Sequence, residues 1–277
     1  MMISLYCVFE RLMMNRSMPM TILLIALLLY AGFVSYLYFF QRSFIYMTHS
    51  EPIDYASVML LERPDAKIRI SARELDTDRA ILYFGGNAEN VAYNLPDFKN
   101  RFPNHAIYLM HYRGYGGSEG KPSEKAIIED AFALYDLVAK KHKNIAVVGR
   151  SLGTGVAVRL AAEREVSHVV LITPYDSILY IAQRAFPYVP VGWLLKDTYE
   201  SWRHAPAITA PTLIIMAEND EVIPAVSTRR LYGFFKEGVA RLLVIPGTRH
   251  NSVSFDMTFE HAFATFFDTP KPKSEKN

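Results

Sequence analysis

The hydrophobic pattern changes character along the chain. From Thr21 to Phe40 (TILLIALLLYAGFVSYLYFF) no residue carries a charge, and about 20 such residues can cross a hydrocarbon layer of about 30 Å as a helix. Two alternating stretches follow, Ser57 to Glu62 and Lys67 to Arg73, separated by Arg63-Pro-Asp65; this is the pattern of an antiparallel hairpin. Beyond it, short continuous apolar runs recur at 80–84, 106–110, 145–148, 168–172, 212–216 and 242–245. Runs that are apolar on both faces belong to parallel strands covered by helices. Between them lies helical periodicity. It is clearest from Glu124 to Lys141, where Ile127, Ile128, Ala131, Leu134, Tyr135 and Val138 share one face and Ser123 stands at the N-cap position after Pro122. Shorter helices are predicted at 153–165, 225–236 and 255–267. Strands alternating with helices imply right-handed crossovers and a mostly parallel, doubly wound α/β sheet, here preceded by the antiparallel hairpin.

At 277 residues the chain has the length of one α/β domain with an appendage. The formal net charge is +2, and the absence of a basic run or a basic patch interleaved with aromatics argues against nucleic acid as a partner. Cys7 is the only cysteine, so the globular part has no disulfide framework and no thiolate metal site. No cofactor or metal is expected. The apolar segment at 21–40 reads as an uncleaved transmembrane signal anchor; a cleaved signal peptide is the rival, disfavoured by the length of the apolar core and the lack of an A-x-A site. Arg11 and Arg16 precede the segment and Arg42 follows it, with Glu51 and Asp54 soon after. That slight bias places residues 1–20 in the cytoplasm and the body outside it, which is the periplasm if the cell is Gram-negative. The crowding of Met13, Met14, Met18 and Met20 is consistent with a translation start about 15 residues downstream. Residues 42–55 read as a connector within a body spanning 41–268, and residues 269–277 as a disordered tail.

The apolar run at 145–148 ends in Gly149-Arg-Ser-Leu-Gly153, the G-x-S-x-G spacing of a nucleophile elbow. A serine at a sharp strand-to-helix turn needs small neighbours two residues to each side so that the backbone can close. The turn exposes the hydroxyl and points the first amides of the new helix, Leu152 among them, at a substrate oxygen. Ser151 is therefore the candidate nucleophile, although such residues also gather at ordinary helix starts.

In a doubly wound sheet, ligands bind beyond the carboxyl ends of the strands. After the run at 80–84 comes Gly85-Gly-Asn-Ala-Glu-Asn90, which could supply a second amide from Asn87. After 106–110 comes a glycine-dense loop beginning at His111, a residue that reads as structural. After 212–216 comes Glu218-Asn-Asp-Glu221, and after the last strand Pro246-Gly-Thr-Arg-His250. These are acid and base positions in the chain order Ser, Asp, His, with His250 as base and Asp220 orienting it. Asp176, after the run at 168–172, competes with Asp220 as the acid; Glu218 and Glu221 are lesser candidates.

From about Tyr46 to Phe267 the chain resembles the membrane-anchored serine α/β-hydrolases of the YfhR-like kind, related to mammalian hydrolase-domain proteins that act on lipids and acylated proteins. Ile81-Leu-Tyr-Phe-Gly-Gly-Asn-Ala-Glu-Asn90 is similar to that family's F-H-G-N-A-G-N segment, and Tyr112-Arg-Gly-Tyr-Gly-Gly-Ser-Glu-Gly-Lys-Pro-Ser-Glu124 to its Y-R-G-[FY]-G-x-S-x-G-x-P-[ST]-E. The elbow, the acid loop at Asn219 to Pro224 and the histidine loop match as well. The resemblance implies the α/β-hydrolase fold and carries a catalytic triad onto Ser151, Asp220 and His250, leaving Asp176 structural or on the substrate side. The sequence departs from the family at three positions: Gly85 where the family has His, Glu89 where it has Gly, and His111 where it has Asp. The first and third read as a compensated pair. Glu89 would oppose negative charge on the substrate oxygen unless it points away.

Residues 177–209 hold both tryptophans, Trp193 and Trp202, and read either as a small lid whose apolar wall suits an acyl chain or as plain packing over the sheet edge. The expected activity is hydrolysis of a carboxylic ester or thioester, of lipid or acylated-protein type, through an acyl-enzyme. The alternatives are a catalytically weak or inactive binding protein of the same fold, with the Ser151 hydroxyl out of reach of His250, and an acyltransferase using the same serine.

Overall fold

The computed structural model describes residues 2–49 and 57–267; the predicted tail at 269–277 lies outside them. The chain divides into two units, one ending at Phe44 and the other beginning at Ile45.

The first unit is almost wholly one helix, α1 (Met2–Ile45). The helix runs past the apolar segment at both ends, upstream with Pro19 inside it and downstream to Ile45, where the Gln41 amide donates back to the Tyr38 carbonyl at 2.8 Å. Met18–Ile45 is long and apolar enough to cross a membrane.

The second unit is built on a single eight-stranded sheet of order β1-β2-β4-β3-β5-β6-β7-β8. Its strands are β1 (Val58–Arg63), β2 (Ala66–Arg73), β3 (Arg79–Phe84), β4 (Ala106–Met110), β5 (Asn144–Arg150), β6 (Val169–Ile172), β7 (Thr212–Ala217) and β8 (Ala240–Ile245). β1 and β2 form the predicted antiparallel hairpin, β2 runs antiparallel to β4, and the remaining pairs are parallel. Alternation of side chains across the strands makes two cores. Ala80, Leu82 and Phe84 face one layer, covered by α3 (Glu124–Val138), α4 (Leu152–Glu163) and α8 (Ala225–Phe234). Ile81 and Tyr83 face the other, covered by α2 (Leu95–Arg101) and α9 (Met257–Phe266).

Register places the candidate loops along one edge. Phe84 pairs with both Met110 and Gly149, Arg150 pairs with Ile172, and Ala217 pairs with Ile245. The segments that follow these residues emerge at the carboxyl ends of the parallel strands.

Between β6 and β7 the chain forms α5 (Ile178–Ala185), α6 (Val191–Leu194) and α7 (Ser201–His204). Trp202 packs against Phe234, whereas Trp193 and Tyr188 are 92% and 89% exposed. A cavity of about 450 Å³ is lined by Phe186, Pro190 and Trp193 with their neighbours, all within residues 183–193, and Ser151 does not line it. The aromatic residues of this segment therefore divide between packing on α8 and solvent.

A buried charge cluster ties the hairpin to the sheet. Asp130 of α3 is fully buried and accepts from Arg113 Nε at 2.8 Å, Arg113 Nη2 at 3.0 Å and Arg63 Nε at 3.0 Å. Arg113 also grips Asp65 in the hairpin turn with two bonds, at 2.6 and 3.0 Å. Removing one partner of such a cluster strands a buried charge. Asp130→Ala is expected to lower unfolding free energy by about 3–5 kcal/mol, read from urea denaturation of the full chain; a loss below about 1 kcal/mol, the scale of an exposed pair, would contradict the account.

Candidate active site

Ser151 occupies a turn that few residues can adopt. Its backbone lies at φ 48° and ψ −115°, a strained combination for a residue with a Cβ. The neighbouring glycines make the turn possible through close approach. A Cβ on Gly149 would lie 2.6 Å from the Gly153 carbonyl oxygen, and one on Gly153 would lie 2.0 Å from the Phe84 carbonyl oxygen. The first turn of α4 is thus pressed against the end of β3. The turn is pinned by the Ser151 amide, which donates to the Ile172 carbonyl at 2.9 Å, and by the Thr154 hydroxyl, which donates to the Ser151 carbonyl at 2.6 Å.

The structure brings Ser151, His250 and Asp220 together. Ser151 Oγ lies 3.0 Å from His250 Nε2, and His250 Nδ1 lies 2.9 and 3.0 Å from the two Asp220 carboxylate oxygens. A ring nitrogen facing a carboxylate carries the proton, which leaves Nε2 to accept from the serine hydroxyl. The imidazole and carboxylate are nearly withdrawn from solvent, with side chains 7% and 3% exposed. Asp220 is held in turn by the amides of Val222 and Ile223, which donate to Oδ1 at 2.9 and 2.7 Å.

The other acid candidates are engaged elsewhere. Asp176 is buried, accepts from the Ser227 hydroxyl at 2.5 Å and pairs with Arg230 at 3.3 Å, which fixes the start of the 177–209 segment to α8. Glu218 accepts from the Gly247 amide at 2.8 Å and Glu221 from the His250 amide at 3.2 Å. Hydrogen bonds from its own amide and from that of His250 hold the Glu221 carboxyl below the usual range. Both glutamates thereby brace the loop that presents the imidazole.

Gly86 lies beside the elbow: a Cβ built on it would sit 3.6 Å from Ser151 Cβ. The Gly85 to Asn90 loop therefore begins against the elbow. Glu89 folds into the base of this loop. Its carboxylate accepts from the Gly86 amide at 2.5 Å, from the Tyr83 hydroxyl at 2.6 Å and from the Asn94 side chain at 2.5 Å, and it pairs with Arg150 at 3.5 Å. It also explains Gly85: a Cβ there would meet Val91 at 2.5 Å and the Glu89 carboxylate at 3.2 Å. Gly85 and His111 follow the paired residues Phe84 and Met110, so these two departures lie at neighbouring strand ends. His111 bonds Ser71 through Nε2 at 2.8 Å, on the other side of β4 from the elbow. Burial pushes the His111 imidazole down to about 4 from its ordinary 6.5, with Arg69 and His49 adding to the effect.

Sequence reasoning missed Arg150. It lies between Glu89 and Asn251, donating to the Asn251 side chain at 3.3 Å, and links the amide loop to the histidine loop across the elbow. Its position between Gly149 and Ser151 was the available signal. Among the described residues, no three or more His, Cys, Asp or Glu side chains converge as metal ligands.

No protein-family model matches the chain. It is 28% identical over 259 residues to an uncharacterized protein of Mycobacterium tuberculosis, covering 86% of this chain and 90% of that one. It is 28% identical over 180 residues to the uncharacterized protein YfhR of Escherichia coli, covering 61% of this chain and 62% of that one. In three dimensions it resembles an esterase of Pyrococcus furiosus with a TM-score of 0.64 at 17% identity, over 80% of this chain and 98% of that one. The eight-stranded arrangement is the α/β-hydrolase fold.

Glu89 and His111 each give this geometry a measurable consequence. Glu89→Ala frees the Gly86 amide and loosens the loop, and because Arg150 already balances the carboxylate, loss of position outweighs loss of charge. Amide hydrogen exchange at residues 86–90 should therefore accelerate ~10- to 100-fold, and unchanged protection would show that the carboxylate does not hold the loop. For His111, the unfolded chain takes up a proton near pH 6.5, whereas the folded chain resists until about 4. The neutral ring's contribution is complete above the higher value and is lost as pH falls between the two. Relative to His111→Gln, the wild-type chain should lose about 3 kcal/mol of unfolding free energy across that window, measured by urea denaturation; parallel stability curves would contradict it.

Proposed function

We propose that this chain, YfhR-like in sequence and α/β-hydrolase in fold, is a membrane-anchored serine hydrolase of carboxylic esters or thioesters. The observation that carries this reading is the unbroken path from hydroxyl to imidazole to carboxylate, 3.0 Å and then 2.9 Å, at a strained strand-to-helix turn. The same 3.0 Å contact speaks against the non-catalytic alternative, which requires the hydroxyl to be out of reach.

In the proposed reaction, Ser151 Oγ attacks the acyl carbonyl while its proton passes to His250 Nε2. Asp220 fixes the tautomer and stabilises the imidazolium. The carbonyl oxygen becomes an oxyanion between the main-chain N–H groups of Leu152 and Asn87, neither of which donates elsewhere among the described hydrogen bonds. His250 then protonates the departing alcohol or thiol, leaving the acyl group on Ser151. A water molecule, deprotonated by the same imidazole, attacks the acyl-enzyme, and the carboxylic acid leaves as the serine recovers its proton.

We place α1 in the membrane with the N-terminus cytoplasmic and the body outside. On this reading, residues 177–209 are a lid that selects a lipid or acylated-protein substrate. The reading is supported by the place of this segment in the chain, between β6 and β7, with its first turn fixed to α8 through Asp176.

A fluorophosphonate probe is expected to label the intact chain and not Ser151→Ala, with ester turnover of the variant reduced at least ~10⁴-fold. Equal labelling of both, or undiminished turnover, would refute the assignment.

A further inference from the structure

The residues immediately after α1 do more than connect it to the body. Tyr46 is 3% exposed, and its hydroxyl donates to Asp197 at 3.1 Å and lies 3.1 Å from the Tyr199 hydroxyl, at the end of the segment between β6 and β7. The Met47 amide donates to the Asn87 side-chain oxygen at 2.8 Å. His49 Nε2 bonds the Glu89 carbonyl at 3.2 Å, while the His49 carbonyl accepts from the Gly116 amide at 2.8 Å in a bridge with Tyr115. The short stretch from Tyr46 to His49 thus reaches the segment that precedes β7, the amide loop and the glycine-dense loop.

Two facts give these contacts weight. The Asn87 side-chain oxygen also accepts from the Tyr115 hydroxyl at 2.8 Å and the Ala88 amide at 3.1 Å, so its direction is over-determined. Ala88 sits at φ 59°, in the left-handed region where an alanine is strained. Such a conformation persists only when neighbouring groups hold it, and the holding groups here are the Met47 amide, Tyr115 and Glu89. The side-chain oxygen is so engaged, while the Asn87 main-chain N–H donates to no group among the described hydrogen bonds, and the preceding residue, Gly86, lies against Ser151.

We infer that Tyr46 to His49 is a positioning strap for the amide loop: it sets the aim of the Asn87 N–H, so the proposed site is complete only when the segment following α1 is docked. The Met47 and His49 bonds act on the loop directly, and Tyr46 fixes the strap to the body. This inference rests on the oxyanion role proposed above for Asn87, and its test is separable from that role.

In the unaltered full-length chain in detergent, hydrogen exchange followed by mass spectrometry should show amides 47–49 and 86–90 opening as one unit, distinct from β3. Met47→Pro removes the donor to Asn87, and His49→Ala removes the bond to Glu89. Each should accelerate exchange at 86–90. Each should also lower kcat for a short aryl ester ~10- to 100-fold, with KM changed less than about twofold. Inhibition by a trifluoromethyl ketone, whose adduct bears an oxyanion, should weaken by the same factor as kcat. Strap and loop opening independently in the unaltered chain would overturn the inference. So would a folded variant that keeps both its loop protection and its kcat. If the unaltered chain turned over no ester, the hydrolase reading would fail, while the exchange result would still decide whether the strap holds the loop.

Discussion

The structure depends on a steric constraint at the crossing of β3, β5 and α4. The first turn of α4 approaches the Phe84 carbonyl so closely that Gly153 has no room for a methyl group, and Gly149 has none against Gly153. That contact forces Ser151 into its strained turn and brings the end of β3 against the elbow. The amide loop begins at the next residue after β3. Ser151 and the start of the Gly85 to Asn90 loop are therefore placed by one packing contact.

Around this point the charged side chains are engaged with one another and with the backbone of the flanking loops. Glu89, Arg150 and Asn251 form a line across the elbow, and Glu218 and Glu221 hold the backbone of the histidine loop. A carboxylate at position 89 looks harmful to an oxyanion when only its charge is considered. Its geometry makes it a brace instead. Glu89 accepts the Gly86 amide and fills the space beside Gly85, while the Met47 amide and the His49 ring bond Asn87 and the Glu89 carbonyl of the same loop.

Much of this was legible in the sequence, for identifiable reasons. Parallel strands buried on both faces write continuous apolar runs, so every strand begins and ends within two residues of the run or alternating stretch that predicts it. The meeting of Ser151, Asp220 and His250 follows from the same reading, because loops after parallel strands must emerge at one edge. Side-chain direction within irregular loops is harder to read. Nothing in the spacing of Gly85 and Glu89 says that the carboxylate turns under the loop, and the segment from Tyr46 to His49 has no period and makes its bonds to residues about forty or more positions away. Asp130 could have been flagged, since it is an acidic residue on the apolar stripe of α3, between Ile127 and Leu134; its partners Arg63 and Arg113 could not be read from periodicity alone.

The central claim is that Ser151 becomes covalently acylated during turnover. The most direct measurement is mass spectrometry of the full-length chain quenched in acid during steady-state hydrolysis of an activated ester, with peptide mapping of the adduct. The account predicts an added acyl mass on the peptide containing Ser151, appearing in a burst and absent from Ser151→Ala. Turnover with no adduct at that serine, or an adduct on another residue formed at the rate of turnover, would contradict it.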